Sequence, residues 1–148
     1  MVPLASRAPR HKIGCMMETF EVRTAAHSEF REITREVQAV VNKSGAKRGH
    51  AIVYIPHTTA GITINENADP TVRSDMLESL EKMVPWEQLH FKHAEGNSAA
   101  HIKASMMGFS ATVFIEQAKL VLGTWQGIYL CEFDGPRTRK VYVKVVKE

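Results

Sequence analysis

Three histidines of this chain stand at the ends of predicted elements, beside polar or glycine-bearing turns: His57, His93 and His101. Three imidazoles with one open coordination position form a standard arrangement for catalytic zinc. We therefore predict that these side chains converge on one point and hold a divalent metal ion such as zinc. Their spacing matches no named metal motif, so surface or hydrogen-bonded histidines are the alternative. His27 and His50 serve as controls, since neither is expected to join the site.

Two charged side chains are candidates for catalysis or binding near these histidines. Glu66 stands between Asn65 and Asn67, which can orient it to act as a general base or to bind a cationic or hydroxyl-bearing ligand. The alternative is that the two asparagines only serve a turn. Lys103 follows His101 on a short predicted helix, and the N-terminus of such a helix suits a phosphate. The alternative for Lys103 is a solvated surface amine.

Composition and charge exclude several classes of protein. The chain has 148 residues, which favours one domain that buries its own core. Its formal net charge of +3 is too small to predict nucleic-acid binding, and no apolar run approaches the roughly 20 residues of a membrane span. Cys15 and Cys131 are far apart in sequence and favour a reduced, cytoplasmic protein. We expect a flexible tail over residues 1–14 and the domain over residues 15–148.

The elements that must position these side chains follow from periodicity and turn chemistry. Alternation predicts a strand over residues 17–24, and apolar residues at helical spacing predict a helix capped by Ser28 that ends at Gly45. Residues 50–56 predict a buried strand, with residues 61–65 as its neighbour. Asp69 before a proline predicts the start of a second helix. A third, short helix is predicted over residues 96–108.

The C-terminal part of the chain predicts an antiparallel meander. Its strands cover residues 110–116, 120–133 and 140–146, with turns at 117–119 and 134–137. Glycines flank Thr124–Gln126 inside the long strand, which indicates a bulge or a close approach. The basic residues 137–140 indicate a solvated hairpin end or, as the alternative, a phosphate-binding site. The predicted fold is a single small α+β domain with one or two mostly antiparallel sheets and two or three helices.

Three stretches of the chain resemble the YjbQ family, whose members are often called secondary thiamine-phosphate synthases. They are HTTAGITINENADPTVRSDM, EGNSAAHIKASMMG and LGTWQGIYLCEFDGPR. The resemblance extends from about Phe20 to Val145, and the Gly-Thr-Trp-Gln core is specific to the family. It implies a homotrimer of α+β subunits, each with a large mixed sheet. It also implies a pocket near a subunit interface, lined by the motif histidines, where a metal such as zinc binds.

The resemblance also implies roles for individual residues. Glu66, His101 and Lys103 match the positions expected to be catalytic, and His57, His93 and His101 match the metal-binding positions. The expected substrate-binding residues are Thr58, Thr59, Asn65, Asn67, Ser105, Thr124 and Gln126. Trp125 of the same motif is expected to be buried, with a partner for its indole N–H. The chain departs from the family pattern at residues 97–100. This segment between Glu95-Gly96 and His101 is shorter than in many members of the family, and it carries no carboxylate to orient His101.

The resemblance implies an enzyme that joins a thiazole phosphate to a pyrimidine diphosphate with loss of pyrophosphate. Such a reaction needs a site that binds the leaving phosphates and requires little covalent chemistry from the protein. One alternative is metal-assisted hydrolysis of a small phosphorylated metabolite, in which Glu66 acts on a metal-bound water. A second alternative is a non-catalytic trimeric module that binds a metabolite or a metal. Turnover by the metal-loaded protein distinguishes the enzymes from the module.

Overall fold

The computed structural model describes residues 14–148 of the chain. Its elements are β1 (Cys15–Arg23), β2 (Glu29–Glu32), α1 (Thr34–Ser44), β3 (Arg48–Tyr54), β4 (Ala60–Glu66), α2 (Pro70–Met83), α3 (Ser98–Met107), β5 (Ser110–Glu116), β6 (Lys119–Leu120), β7 (Gln126–Glu132) and β8 (Thr138–Lys147). The predicted N-terminal tail lies outside the described residues except for Gly14. None of the helices within residues 14–148 has the length and apolar character needed to cross a membrane.

The strands form two antiparallel sheets. A five-stranded sheet has the order β1-β8-β3-β5-β6, and a three-stranded sheet has the order β2-β7-β4. Together with the three helices, this arrangement confirms the predicted α+β class. The large sheet that the resemblance implies is divided in two here, and its assigned strand pairs are all antiparallel.

The larger hydrophobic core lies between the two sheets, with α1 closing it. Alternate residues of β3 and β8 are buried in this core, as a period of two predicts. Its buried members are Val22, Ile33, Val37, Val40, Val41, Ala46, Ala51, Val53, Ile55, Ala60, Ile62, Val113, Ile115, Ile128, Leu130, Val141, Val143 and Val145.

The helices α2 and α3 pack on the other face of the three-stranded sheet. Its central strand, β7, is therefore buried on both faces. Ile128 and Leu130 belong to the larger core, whereas Tyr129 and Cys131 pack with residues of the two helices. Burial raises the pKa of the Cys131 thiol, so this cysteine is a packing residue and not a nucleophile.

Two local features place α2 and α3. Asp69 caps α2, its carboxylate accepting a backbone N–H at 2.9 Å, and a proline occupies the first helical position, as predicted. Gly61 of β4 lies against the end of α3, because a Cβ there would stand only 2.7 Å from the Gly108 carbonyl oxygen. A larger residue at position 61 would push α3 off the sheet. This glycine therefore helps to set the position of His101.

The predicted helix start at Ser28 is wrong. Glu29–Glu32 forms the short strand β2, which pairs with β7, and α1 begins only after it. Phe30 of this strand packs against Tyr129 and Phe133, with ring centroids 6.4 Å apart in each case. Burial of the aromatic ring and pairing with β7 outweigh the helical spacing of the apolar residues, which is local information only.

The predicted strand neighbours are also wrong in two places. β4 does not pair with β3, because the chain crosses between the sheets after β3, and β4 pairs with β7 instead. The C-terminal meander is interrupted, because β7 joins the smaller sheet and β8 returns to the larger one between β1 and β3. The long strand predicted over residues 120–133 is limited to Gln126–Glu132. A turn precedes it, closed by a hydrogen bond from the Gln126 N–H to the Gly123 carbonyl at 3.0 Å.

Candidate functional site

A polar cavity of about 300 Å³ lies where three segments of the chain meet. The first segment follows β3, the second covers the start of α3, and the third is the connection between β7 and β8. The cavity is lined by residues 56–59 together with Glu95, Asn97, His101, Asp134, Arg137 and Arg139. Four of the predicted site residues are thus collected here: His57, Thr58, Thr59 and His101.

His57 is held in one tautomer by the backbone of β8. Its Nε2 accepts a hydrogen bond from the Lys140 N–H at 2.8 Å, so the ring proton is on Nδ1 when the side chain is neutral. Burial and then the charge of Arg139 lower the pKa of His57 below its usual value of 6.5. His57 therefore lines the polar cavity as a neutral imidazole with one N–H donor at neutral pH.

A buried ion pair supports the wall of the polar cavity. Arg139 Nε lies 2.9 Å from Glu132 Oε1, and the Arg139 Nη2 also donates to Glu132 and, at 2.8 Å, to the Thr59 hydroxyl. The Thr24 hydroxyl donates to Glu132 Oε1 at 2.8 Å. Because Glu132 is fully buried and Arg139 is 4% exposed, water screens this pair little, and the pair fixes Thr59 beside His57.

A second polar group connects α3 to the turn between β7 and β8. Arg137 donates to the Asp134 carboxylate through Nη2 at 2.9 Å, and the Asn97 amide donates to the same carboxylate oxygen at 2.9 Å. Asn97 occupies the position before α3, but its side chain makes no cap hydrogen bond to the helix. Asn97 Oδ1 is buried with no hydrogen-bond partner among the described residues, so a donor from a ligand or from water would be favourable there.

His93 and His101 are in direct contact beside the polar cavity. Their ring centroids are 5.4 Å apart, in an edge-to-face arrangement. Glu95 approaches the pair, with its Oε2 3.8 Å from His93 Nε2. The structure thus brings His101 together with His93 and, across the polar cavity, with His57. Among residues 14–148, no three His, Cys, Asp or Glu side chains are placed to hold one metal ion, and the three-histidine metal site stays a prediction.

An apolar cavity of about 530 Å³ adjoins the polar one. It is lined by residues 90–93 together with Ser98, His101 and Ile102. His90 and Phe91 form an edge-to-face pair at its wall, with ring centroids 4.8 Å apart. His101 lines both cavities, so it is the strongest candidate for a functional residue among those predicted.

The second group of predicted site residues lies at the opposite end of β4. The strand has seven residues, so Glu66 is about 20 Å along it from the residues beside His57. Two of the side chains here bond to nearby backbone groups: Asn65 Oδ1 accepts the Glu66 N–H at 2.7 Å, and Gln126 Oε1 accepts the Gly123 N–H at 2.8 Å. Within one chain, Glu66, Asn65, Asn67, Thr124 and Gln126 do not line the polar cavity.

The prediction that Trp125 is buried is wrong. Its side chain is 64% exposed, because residues 121–125 form a loop before β7 and not part of a strand. The loop is attached to β4 through its backbone, where the Asn67 N–H donates to the Trp125 carbonyl at 2.9 Å. The indole ring is therefore a surface feature of this chain.

Lys103 faces α2 and not the polar cavity. It is 2% exposed, and its ammonium forms an ion pair with Glu81. This ion pair connects α2 to α3 and lowers the pKa of the Glu81 carboxyl. Ser105, on the same helix, is exposed and does not line the polar cavity. A catalytic role for Lys103 stays a prediction that its burial does not favour.

We expect Glu81→Gln to lower the free energy of unfolding at pH 7 by about 1–2 kcal/mol, because it leaves the buried Lys103 ammonium unpaired; the half-exposed carboxylate keeps the effect small. The lowered pKa of Glu81 means that its contribution is present above about pH 4.5 and is lost as the pH falls through the folded-state pKa. Urea denaturation of the parent and the variant at pH 7 and at pH 3 measures the loss of free energy of unfolding and its dependence on pH. Glu78→Gln is the matched control, since its pair with Lys82 is exposed; equal losses in the two variants would contradict the prediction.

Asn97 and Asp134 line the polar cavity and Glu132 supports its wall, and none of the three was predicted as a site residue. Arg137 and Arg139 were predicted only as part of the alternative phosphate-binding site over residues 137–140. The signal for Arg139 is present in the sequence, since it shares the alternation that buries Val141 and Val143 on β8. A basic residue on a buried face needs a counter-ion. No local pattern shows that the counter-ion is Glu132, because that contact depends on how the two sheets are placed.

Comparisons with known proteins give consistent results. The family model described as "UPF0047 protein YjbQ-like" matches residues 18–148. The UPF0047 protein YugU of Bacillus subtilis is 53% identical over 131 residues, which cover 88% of this chain and 99% of YugU. A crystal structure of a YjbQ/UPF0047 family protein from Clostridium acetobutylicum has a TM-score of 0.85 at 55% identity, covering 86% of this chain and 98% of that one. A structure from Sulfolobus solfataricus, described as a protein of unknown function, has a TM-score of 0.87 at 32% identity, with 92% and 99% covered.

Proposed function

Because the chain belongs to the UPF0047 family of YjbQ-like proteins, we propose that it is an enzyme acting on a small phosphorylated metabolite. The proposed reaction is that of a secondary thiamine-phosphate synthase, in which a thiazole phosphate joins a pyrimidine diphosphate and pyrophosphate leaves. The observation that supports it is the polar cavity, which is lined by His57, His101 and Arg137 together.

The polar cavity offers several donors to a phosphate. Arg137 is half-exposed, with a guanidinium that can share its remaining N–H groups with a ligand. The first backbone N–H groups of α3 have no partner within the helix and carry the positive end of its dipole. The Thr58 hydroxyl is exposed on the same cavity. Preorganised donors of this kind stabilise the charge that develops on a leaving pyrophosphate.

The two histidines of the polar cavity have different tasks in this proposal. His57 is neutral and fixed by the Lys140 N–H, so it donates one hydrogen bond from Nδ1 to the phosphate. His101 lies between the two cavities, and its ring forms no hydrogen bond to the backbone of residues 14–148. In this proposal His101 gives a proton to the leaving pyrophosphate as the bond to the pyrimidine part breaks and the bond to the thiazole part forms.

A divalent metal is part of the proposal. His93 and His101 are in contact, and His57 lines the polar cavity with His101. These three imidazoles are the nitrogen donors that the family resemblance implies for a zinc ion. Such an ion, when bound, supplies positive charge to the phosphates. Glu66 lies about 20 Å away along β4, so a catalytic role for it requires a neighbouring subunit of the homotrimer that the family resemblance implies.

Metal-assisted hydrolysis of a phosphorylated metabolite is the second candidate, and the contact between His93 and His101 favours it. The two reactions differ in their products. Synthase activity consumes both substrates and releases pyrophosphate in equal amount with thiamine phosphate. Hydrolase activity releases inorganic phosphate from the pyrimidine diphosphate without the thiazole phosphate.

The test is turnover by the full chain with both substrates, with and without added Zn²⁺ or Mg²⁺, followed by chromatography of products. We expect one pyrophosphate for each thiamine phosphate. Arg137→Gln should raise the KM for the pyrimidine diphosphate about tenfold or more, since a charged hydrogen bond of about 1.5–3 kcal/mol is lost. Arg35→Gln, on the surface of α1, is the control. Saturable binding with no product would favour the binding module, and an unchanged KM in Arg137→Gln would exclude the polar cavity as the phosphate site.

A further inference from the structure

Asp134 connects the turn between β7 and β8 to the start of α3. Its Oδ2 accepts one hydrogen bond from Arg137 Nη2 at 2.9 Å and another from the Asn97 side-chain amide at 2.9 Å. Its backbone carbonyl accepts the Arg137 Nε–H at 2.7 Å. The Asp134 side chain is 14% exposed, whereas that of Arg137 is 53% exposed. These bonds fix one edge of the planar guanidinium, and its exposed remainder can bind a ligand in the polar cavity.

The backbone of this turn is held by other residues. The Asp134 N–H donates to Glu132 Oε2 at 3.2 Å. The Arg137 N–H donates to the Thr24 hydroxyl at 2.8 Å, and the Thr24 N–H donates to the Arg137 carbonyl at 2.8 Å. The turn is therefore fixed without the Asp134 carboxylate. That carboxylate adds only the orientation of the guanidinium and the contact with α3.

The contact with α3 relates Arg137 to His101. Asn97 precedes the helix, and its carbonyl accepts the N–H groups of Ala100 at 3.0 Å and His101 at 3.4 Å. The helix itself is firmly packed, since Ala100 and Ala104 are fully buried. Asp134 is therefore attached to a rigid element, and through Asp134 the guanidinium is held at a fixed distance from the helix that carries His101.

A carboxylate is an unfavourable neighbour for a bound phosphate. Like charges repel, and an ionised carboxylate accepts hydrogen bonds but donates none. Asp134 nevertheless lines the polar cavity together with Arg137. Any benefit of Asp134 to phosphate binding must therefore come from the orientation of Arg137 and not from its own charge. These two contributions to affinity have opposite signs, so an experiment can separate them.

We propose, on the basis of the proposed function, that Asp134 is a positioning residue for the phosphate. It orients the Arg137 guanidinium toward the polar cavity while Asn97 holds the carboxylate on α3. A side chain that is already held in place loses less conformational freedom on binding than a free one. Asp134 thus strengthens phosphate binding through Arg137 without touching the phosphate.

Calorimetric titration of the full chain with inorganic pyrophosphate tests the proposal. We expect Asp134→Ala to weaken binding about fivefold to tenfold, although loss of its negative charge alone would strengthen it. The double variant with Arg137→Gln should bind within twofold of Arg137→Gln alone, because residues that act through one another are not additive. In turnover, Asp134→Ala should raise the KM for the pyrimidine diphosphate by a similar factor and change kcat less than threefold, since His101 stays on α3.

Asp75→Ala is the matched control, because it removes the same charge from an exposed position on α2 that does not line the polar cavity. It should leave pyrophosphate binding within twofold. Thermal unfolding verifies that each variant is folded, and Asp134→Asn replaces Asp134→Ala in the same comparison if the alanine variant is not.

Unchanged or tighter pyrophosphate binding in the Asp134 variant would overturn the proposal. Losses that multiply in the double variant would do the same, because Asp134 would then act independently of Arg137. A parent protein that does not bind pyrophosphate would overturn both this proposal and the proposed function. The expected binding results without turnover by the parent would instead remove the proposed function and leave the positioning role of Asp134 in place.

Discussion

Replacing Glu132 by glutamine is expected to lower the free energy of unfolding by about 3–5 kcal/mol, because the Arg139 guanidinium then stays buried without its counter-ion. Glu132 is fully buried and accepts hydrogen bonds from Arg139 and Thr24, while Arg139 is 4% exposed. Unscreened by water, a charge at this position is unfavourable unless it is paired. A substitution at the protein surface usually changes the free energy of unfolding by no more than about 0.5 kcal/mol, so a loss of this size would identify Glu132 as a buried structural charge.

Chemical denaturation of the full-length protein at pH 7 measures this loss. Glu116→Gln is the matched control, since its ion pair with Arg48 is 3.4 Å long and exposed on both sides, and exposed pairs contribute about 0–1 kcal/mol. A double variant, Glu132→Leu with Arg139→Met, should recover part of the stability because it leaves no buried charge behind. A loss below about 1 kcal/mol in Glu132→Gln would show that Arg139 finds another partner or reaches water.

The same ion pair connects stability to the candidate site. Arg139 donates to the Thr59 hydroxyl at 2.8 Å, and the backbone of the next residue, Lys140, donates to His57. A shift of β8 caused by loss of the pair would therefore displace both walls of the polar cavity. Positioning errors of about 1 Å can reduce catalysis a hundredfold, so Glu132 acts on the site through Arg139 without touching a ligand.

Replacing His101 by alanine is expected to lower kcat by about 10²–10⁴-fold, the usual contribution of a general acid or base. The side chain lines both cavities and contacts His93, so its removal affects the apolar cavity, the polar cavity and the proposed metal together. It is half-buried on α3, and alanine is a good helix former. We therefore expect the free energy of unfolding to change by no more than about 1 kcal/mol.

Single-turnover and steady-state kinetics with both substrates measure the effect, and His50→Ala is the control. His50 lies on β3 in the five-stranded sheet, opposite Val146 of β8, and lines neither cavity. His101→Gln separates catalysis from packing, because glutamine keeps polar volume at the junction but cannot transfer a proton at neutral pH. A His101→Gln variant with full kcat would contradict the assigned role, whereas loss of one limb of the pH profile would support it.

Local patterns in the sequence determined the parts of the fold that depend on neighbours along the chain. The Asp69 cap and the following proline predict the start of α2 without any tertiary information. Alternation in β8 is confirmed as far as Val145, since one face meets the larger core. The motif residues were sufficient to identify the family, and they predicted His57 and His101 as site residues without any information on the distance between them.

Only the tertiary structure decided the partners of these elements. Phe30 belongs to a strand because Phe133 and Tyr129 are present to cover it, and Trp125 is exposed because the chain turns before β7. Lys103 is a buried structural cation because α2 places Glu81 against it. The hydrogen bond between Thr24 and Glu132 joins residues 108 positions apart. Burial, sheet pairing and ion pairing are properties of such non-local contacts, whereas periodicity and capping are set within a few residues; for that physical reason the polar cavity emerged only when the sheets and α3 were placed together.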